Sequence, residues 1–112
     1  MIILFRKFKD IIEEYKIIKW DLEPHSSRFI AEILFTDNST LSIRDYVIEN
    51  RRKYSYHWQD KENTLLIRWD NAPHWKSIST FPFHKHLGDE VKSSSETTLD
   101  EVLETIKQHL NR

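Results

Sequence analysis

Residues 68–86, RWDNAPHWKSISTFPFHKH, hold an unusual density of side chains that could do chemistry. Three of the six histidines fall in this stretch, beside arginine, aspartate and lysine side chains. The chain contains no cysteine, which excludes thiol nucleophiles and thiolate zinc sites. Three interpretations compete for the stretch: an acid/base site, a histidine metal site, and a loop of purely structural importance.

The acid/base interpretation rests on His84 and His86. Residues two apart on an extended segment point to the same side, so both imidazoles can face one cleft. Cleavage of RNA through its 2′-hydroxyl needs a base, an acid and cations for the developing charge, and a histidine pair can do both proton transfers without a metal. Arg68 would contact the phosphate, while Asp70 would orient a histidine or that arginine. Four nearby aromatic side chains could either stack on unpaired bases or belong to the core: Trp69, Trp75, Phe81 and Phe83. Of these, Trp69 is expected in the core.

The other two interpretations use the same residues. His74, His84 and His86 would make a three-histidine site of the kind that zinc accepts. Against a metal, no HExxH motif is present and no carboxylate lies between His74 and His86. The segment DNAPH at 70–74 also suits a plain turn, because Asp and Asn before an X-Pro step bond to the neighbouring backbone.

Hydrophobic spacing predicts the elements that position these residues. Apolar residues at helical spacing from Phe5 to Tyr15 predict a short amphipathic N-terminal helix. From Ile18 the period changes to two, and short alternating segments separated by turns predict an antiparallel β-meander. Its five predicted strands span residues 18–23, 28–36, 40–48, 54–59 and 64–70.

The C-terminal part predicts a second helix. FHKH at 83–86 is a short extended piece, Gly88 marks a tight bend, and KSSSETT at 92–98 is a polar linker. Thr98 and Glu101 then have the spacing of a capping box. The apolar stripe of the helix that follows consists of Leu99, Val102, Leu103, Ile106 and Leu110.

Burial decides which strand residues share a face. With the turns centred between residues 50 and 51 and between 61 and 62, the core face holds Ile43, Val47, Tyr54, Tyr56, Trp58, Leu65, Ile67 and Trp69. The opposite face gathers Arg44, Tyr46, Ser55, His57, Arg68 and Asp70 from three adjacent strands. A one-residue slip would bury these charges, so this register is favoured. The predicted fold is α+β: a five-stranded antiparallel meander with both terminal helices on the Tyr54/Tyr56/Trp58 face.

Composition and charge set the outer limits. The 112 residues suit a single domain spanning 1–112, and 38% hydrophobic with 31% charged residues is typical of globular chains. The lack of cysteine suits the cytoplasm, and no apolar run predicts a membrane span or a signal peptide. Net charge is −1, but residues 44–86 sum to +3, so a polyanionic partner is expected to approach that part.

The residues around this stretch also resemble a known family. The pieces that carry the resemblance are YSYHW at 54–58, RWDNAPH at 68–74, STFPFHKH at 79–86, TLDEVLETI at 98–106 and, more weakly, LSIRDYV at 41–47. They are similar to the TumE family of toxins from toxin–antitoxin systems. The likeness covers residues 28–110, and the N-terminal helix carries none of it.

The resemblance implies a toxin of a type II toxin–antitoxin system, encoded beside a helix-turn-helix antitoxin and directed at RNA. By position, its motifs fall on Arg68, Asp70, Asn71, Pro73 and His74, then on Pro82, His84, Lys85 and His86. The family does not assign roles to them, so the acid/base assignment rests on residue chemistry alone.

The resulting hypothesis is a metal-independent endoribonuclease that needs no cofactor. The catalytic candidates are His84, His86, Arg68, Asp70 and His74, and the substrate-binding candidates are Lys85, Arg44, Asn71, Tyr46 and His57. Two alternatives stay open: a non-catalytic protein that inhibits a cellular partner through the same basic surface, and a hydrolase with a metal on the three histidines. The expected partners are RNA and the antitoxin rather than a membrane, and a homo-oligomer is left open.

Overall fold

A computed structural model describes residues 1–111 and has an α+β fold built on one antiparallel sheet. The elements are α1 (Ile2–Lys7), β1 (Ile12–Glu23), β2 (Ser26–Phe35), β3 (Thr40–Ile48), β4 (Arg51–Gln59), β5 (Leu65–Asp70), β6 (His84–Leu87), β7 (Glu90–Ser93) and α2 (Leu99–Leu110). The strands are hydrogen-bonded in chain order from β1 to β7. The predicted meander with N- and C-terminal helices is therefore confirmed, but among residues 1–111 the sheet has seven strands instead of five.

The two additional strands form a short hairpin at the end of the sheet. The extended FHKH piece becomes β6, and Gly88 makes the predicted tight bend, with a φ of 59°. β7 falls in a part of the sequence that was expected to be a bend and a linker. Three of its four residues are exposed, so a polar edge strand of this kind lacks the alternating apolar pattern that identifies a strand in sequence.

The N-terminal helix is shorter than predicted. It ends at Lys7, and the chain turns so that β1 begins at Ile12, six residues before the expected start of the first strand. Phe8 and Ile11 are buried in that turn, and the Tyr15 ring packs at 4.5 Å from the Phe5 ring. The helical spacing of apolar residues between Phe5 and Tyr15 therefore does not come from one helix. It comes from α1, the turn and the start of β1, which all contact the same core.

The predicted turns are displaced by one residue, yet the predicted faces are correct except at Leu65, where a register shift between β4 and β5 puts Leu66 against the core instead. Glu49 and Asn50, with φ values of 49° and 65°, form a two-residue turn between β3 and β4. As a result Tyr56 pairs with Ile43 on one side and with Trp69 on the other. Moving a turn by one residue changes each partner by two, and side chains two apart share a face.

Both helices cover the Tyr54/Tyr56/Trp58 face. Phe5 of α1 and Leu99, Val102, Leu103 and Ile106 of α2 belong to one cluster with these aromatics. The Thr98 hydroxyl caps α2 by accepting from the Glu101 backbone N–H at 3.3 Å. Within residues 1–111, no helix combines the length and the apolar character that a membrane span requires. In this described part of the chain the other face of the sheet carries no helix, and the candidate site lies there.

Candidate functional site

Two rows of side chains cross the bare face of the sheet from β3 to β6. The first row places Ser42, His57, Arg68 and His86 side by side on four successive strands. The second row, two residues away, contains Arg44, Ser55, Asp70 and His84. The sheet therefore brings together residues that lie up to 44 positions apart in sequence. In the first row, Arg68 has one histidine on each side, His57 on β4 and His86 on β6.

Asp70 is the centre of this arrangement. It is only 6% exposed, and its Oδ1 accepts from the Ala72 backbone N–H at 3.0 Å. Its Oδ2 accepts from Nε of Arg68 at 3.1 Å. His84 Nε2 lies 2.7 Å from Oδ1, and His86 Nε2 lies 3.6 Å from Oδ2. One buried carboxylate thus fixes an arginine and contacts two imidazoles.

His84 is a buried group that supports the site from within. It is 1% exposed, and its Nδ1 must carry a proton because it lies 2.9 Å from the Pro82 carbonyl oxygen, which can only accept. Nε2 is therefore the nitrogen that faces Asp70. The carboxylate oxygen lies off the axis of Nε2, so the 2.7 Å approach is a close electrostatic contact without an aligned hydrogen bond. His84 cannot reach a ligand in the way that the acid/base hypothesis required.

His57 is held by Arg68 on the opposite side. The guanidinium NH1 lies 3.2 Å from Nδ1 of His57, and since guanidinium is only a donor, Nδ1 accepts and Nε2 carries the proton. Burial and then the positive charge of Arg68 lower the pKa of His57, against a smaller opposing effect of a hydrogen bond with Gln59. His57 is therefore neutral at neutral pH.

His86 is the more accessible of the two histidines on β6. Its side chain is 21% exposed, compared with 1% for His84. Burial lowers the pKa of His86, the charge of Asp70 opposes this, and His84 and Arg68 lower it further. The imidazole can therefore exchange a proton with a bound molecule, whereas His84 is sealed.

An open groove of about 520 Å³ runs along the β3–β5 side of these rows. Its lining includes Arg44, Tyr46, Lys53, His57 and Arg68. Arg44 and Lys53 are exposed, and neither is within 4.0 Å of a carboxylate of residues 1–111. Arg68 is the third cation of the groove and is partly neutralised by Asp70. The groove therefore favours an anionic ligand.

Three predicted site residues lie elsewhere. Lys85 was predicted to bind substrate together with Arg44, but it pairs with the buried Trp69 and so lies on the opposite face of the sheet from Arg44. The side chain of Asn71 is hydrogen-bonded to the backbone of β4 and is not available to a ligand. It accepts from the Tyr54 N–H at 3.0 Å and donates to the Arg52 carbonyl at 2.7 Å.

His74 is exposed in the loop between β5 and β6 and does not join the histidine pair. The residues that could hold a metal are instead Asp70, His84 and His86, whose ligand atoms lie within 4.8 Å of one another. Two imidazoles and a carboxylate suit a transition metal. However, Arg68 already occupies Oδ2 at 3.1 Å and adds a positive charge there, so a cation would have to displace it.

Two features of the site were not placed from the sequence: a cation that was missed, and the position of an aromatic residue that was already a stacking candidate. Lys53 lay just before the predicted fourth strand, but β4 begins at Arg51, and extending the period-two pattern back from Ser55 would have placed Lys53 on the groove face. The second feature is Trp75, whose ring centroid lies 6.0 Å from that of His86 and 6.4 Å from that of His84. No local pattern places this loop residue over β6.

Comparison with known proteins identifies one family. A family model described as Toxin TumE matches residues 1–110, nearly the whole chain. The match therefore includes the N-terminal 27 residues, which the resemblance of individual motifs did not reach. Neither the curated proteins nor the solved structures contain a significant match.

Proposed function

This chain belongs to the TumE toxin family, and we propose that its toxicity comes from cleavage of RNA without a metal. The toxin would belong to a type II system, in which a helix-turn-helix antitoxin neutralises it. The observation that carries the proposal is the cross-strand row of His57, Arg68 and His86 on the bare face of the sheet.

The spacing of this row suits the geometry of the reaction. The 2′-oxygen attacks phosphorus on the side opposite the departing 5′-oxygen, so base and acid must lie on opposite sides of the phosphate. Neighbouring strands are about 4.8 Å apart, so the backbones of His57 and His86 are separated by about 10 Å across Arg68. A phosphate on the guanidinium of Arg68 would then have one imidazole on each side.

The roles follow from the contacts. His57 serves as the base: when Arg68 turns its NH1 to the phosphate, Nδ1 of His57 loses its donor and can take the 2′-hydroxyl proton. His86 serves as the acid and gives its proton to the 5′-oxygen; the bound phosphate anion raises its tendency to be protonated. Arg44 and Lys53 contact the neighbouring phosphates in the groove.

Asp70 and His84 are positioning residues in this proposal. Asp70 fixes Arg68, and His84 fixes Asp70 from the buried side. The catalytic pair is thus revised from His84 and His86 to His57 and His86, because among the histidines of residues 1–111 only these two combine a place on the row with partial exposure.

Purified protein and single-stranded RNA test the proposal. His57→Ala and His86→Ala should each lower the cleavage rate by about 10²-fold or more, as loss of a general base or acid does. His25→Ala is the matched control, because His25 is an exposed histidine in the turn between β1 and β2. The proposal is wrong if both variants cut at the rate of the wild-type protein.

A non-catalytic toxin is the second candidate, and one observation favours it. The pKa values of His57 and His86 are both lowered, so the free protein at neutral pH lacks a ready acid. A binding protein would use the cations of the groove and need no proton transfer. It would inhibit stoichiometrically and never turn over, so counting cleavage events per protein molecule separates it from the enzyme.

A further inference from the structure

The loop between β5 and β6 presents one tryptophan, Trp75, beside His86 of the cross-strand row. Trp75 is 41% exposed, whereas Trp58 and Trp69 are 1% and 5% exposed in the core. Its ring makes edge-type contacts with His84 and His86, at centroid distances of 6.4 and 6.0 Å. A large part of the indole surface therefore lies open next to the more accessible imidazole of β6.

Local hydrogen bonds hold this loop in shape. The Trp75 carbonyl accepts from the Ile78 N–H at 3.1 Å, and the Phe81 N–H donates to the Ile78 carbonyl at 3.0 Å. Thr80 ties the loop to the hairpin, since its hydroxyl donates to the Phe83 carbonyl at 2.6 Å and accepts from the Ser94 N–H at 2.9 Å. The indole is thus presented by a series of turns anchored at Ser94, the residue that follows β7.

We propose that Trp75 is the stacking platform for one unpaired nucleobase of the substrate. This rests on the proposed function for the direction of the strand. His86 donates to the departing 5′-oxygen, so the nucleotide that owns this oxygen lies on the β6 side of the phosphate, where Trp75 is. The stacked base is therefore the one immediately 3′ of the cleaved bond.

The platform also selects single strands. In a duplex both faces of every base are covered by its neighbours, so an indole cannot stack on one without unstacking the helix. Every base has a flat face, so the platform selects unpaired nucleotides without choosing a sequence. The groove cations on the other side of Arg68 would contact the phosphates 5′ of the cleaved bond.

Binding of a non-cleavable strand tests the platform independently of catalysis. The probe is a short single strand whose 2′-hydroxyls are replaced by hydrogen, with its duplex as comparison. Trp75→Ala should weaken binding of the single strand by about 10-fold or more, as loss of base stacking does, and Trp75→Phe should keep most of the affinity. Trp20→Ala is the matched control, since Trp20 is 44% exposed on the covered side of β1.

The position of the base is tested with cleavable RNA that has a single abasic nucleotide. An abasic site directly 3′ of the cut should slow the wild-type protein and leave Trp75→Ala unaffected, whereas one directly 5′ should slow both alike. Unchanged single-strand binding by Trp75→Ala overturns the platform, even if RNA is cut through His57 and His86. Weakened binding without any cleavage keeps the platform and refutes the enzyme.

Discussion

Replacing Asp70 by asparagine removes one charge and almost no volume, and it tests the centre of the site. Asp70 has three close partners: the Ala72 N–H at 3.0 Å, Nε of Arg68 at 3.1 Å and Nε2 of His84 at 2.7 Å. Asparagine can keep its oxygen on the Ala72 N–H. Its NH₂ group then faces Nε of Arg68, which is a donor opposite a donor.

The magnitude follows from how well each contact is shielded. His84 is 1% exposed, so solvent does not screen its 2.7 Å contact with the carboxylate, but the contact is not an aligned hydrogen bond and is worth about 0.5–1.5 kcal/mol. Arg68 is 38% exposed, so solvent reduces its share to about 1 kcal/mol or less. We expect Asp70→Asn to lower the free energy of unfolding by about 2 kcal/mol, which is a substantial fraction of a typical stability of about 5–15 kcal/mol.

Urea unfolding measures this change, with Asp21→Asn as the control. Asp21 pairs with Arg28 at 3.1 Å, but both side chains are more than a third exposed, so the control should change stability by no more than about 0.5 kcal/mol. RNA cleavage by Asp70→Asn should also fall at temperatures where the variant is folded, because Arg68 loses its orienting carboxylate. Equal stability of Asp70→Asn and wild type would show that the contact between Asp70 and His84 contributes nothing.

Four further results are expected. The base His57 must be unprotonated and the acid His86 must be protonated, so kcat/KM should follow a bell-shaped pH profile. Since the pKa values of both histidines are lowered, the maximum of this profile should lie below about pH 6.5. A maximum well above neutral pH would contradict these roles. EDTA should leave RNA cleavage unchanged, and a loss that zinc restores would move the assignment to the metal hydrolase. Binding of single-stranded RNA should weaken with salt, and Lys53→Ala should reduce the slope of log K against log salt by about 0.7; an unchanged slope removes Lys53 from the phosphate path. Tyr56→Ala should lower the free energy of unfolding by about 3–5 kcal/mol, because the Tyr56 side chain is 0% exposed in the core. Thermal or urea unfolding measures this change, and a loss below about 1 kcal/mol would contradict the place of Tyr56 in the core.

The faces of the central strands could be predicted from sequence except at the start of β5, because a face depends only on a period of two wherever no register shift interrupts the strand. Tyr54, Tyr56 and Trp58 alternate with Ser55 and His57, and no shift by an even number of residues can exchange these sets. The exact partners depend on the turn residues, and Glu49 with positive φ is an uncommon choice for a two-residue turn. With this turn, the residue that faces each β4 residue on β3 differs by two positions from the predicted partner. A difference of two keeps every side chain on its predicted face, so the groove residues still lie together.

The buried half of the site could not be predicted from local patterns. Residues 71–83 contain no strand or helix, so the sequence does not show that the chain returns to place His84 beside Asp70. Spacing of two made His84 and His86 look equivalent. Their burial differs because His84 reaches inward to Asp70 and the Pro82 carbonyl, while His86 lies one row further out.

The two faces of the sheet divide the work of the chain. The helices cover one face, and its aromatic side chains are used for stability. On the other face, His57 and His86 are buried enough that their pKa values fall, yet exposed enough to meet a ligand. The carboxylate of Asp70 contacts Arg68 and His84, so its negative charge is directed to these two side chains and not to the groove. The groove cations Arg44 and Lys53 then set the sign of the groove, and this positive charge suits the polyanionic partner that we propose, whether the toxin cuts it or only binds it.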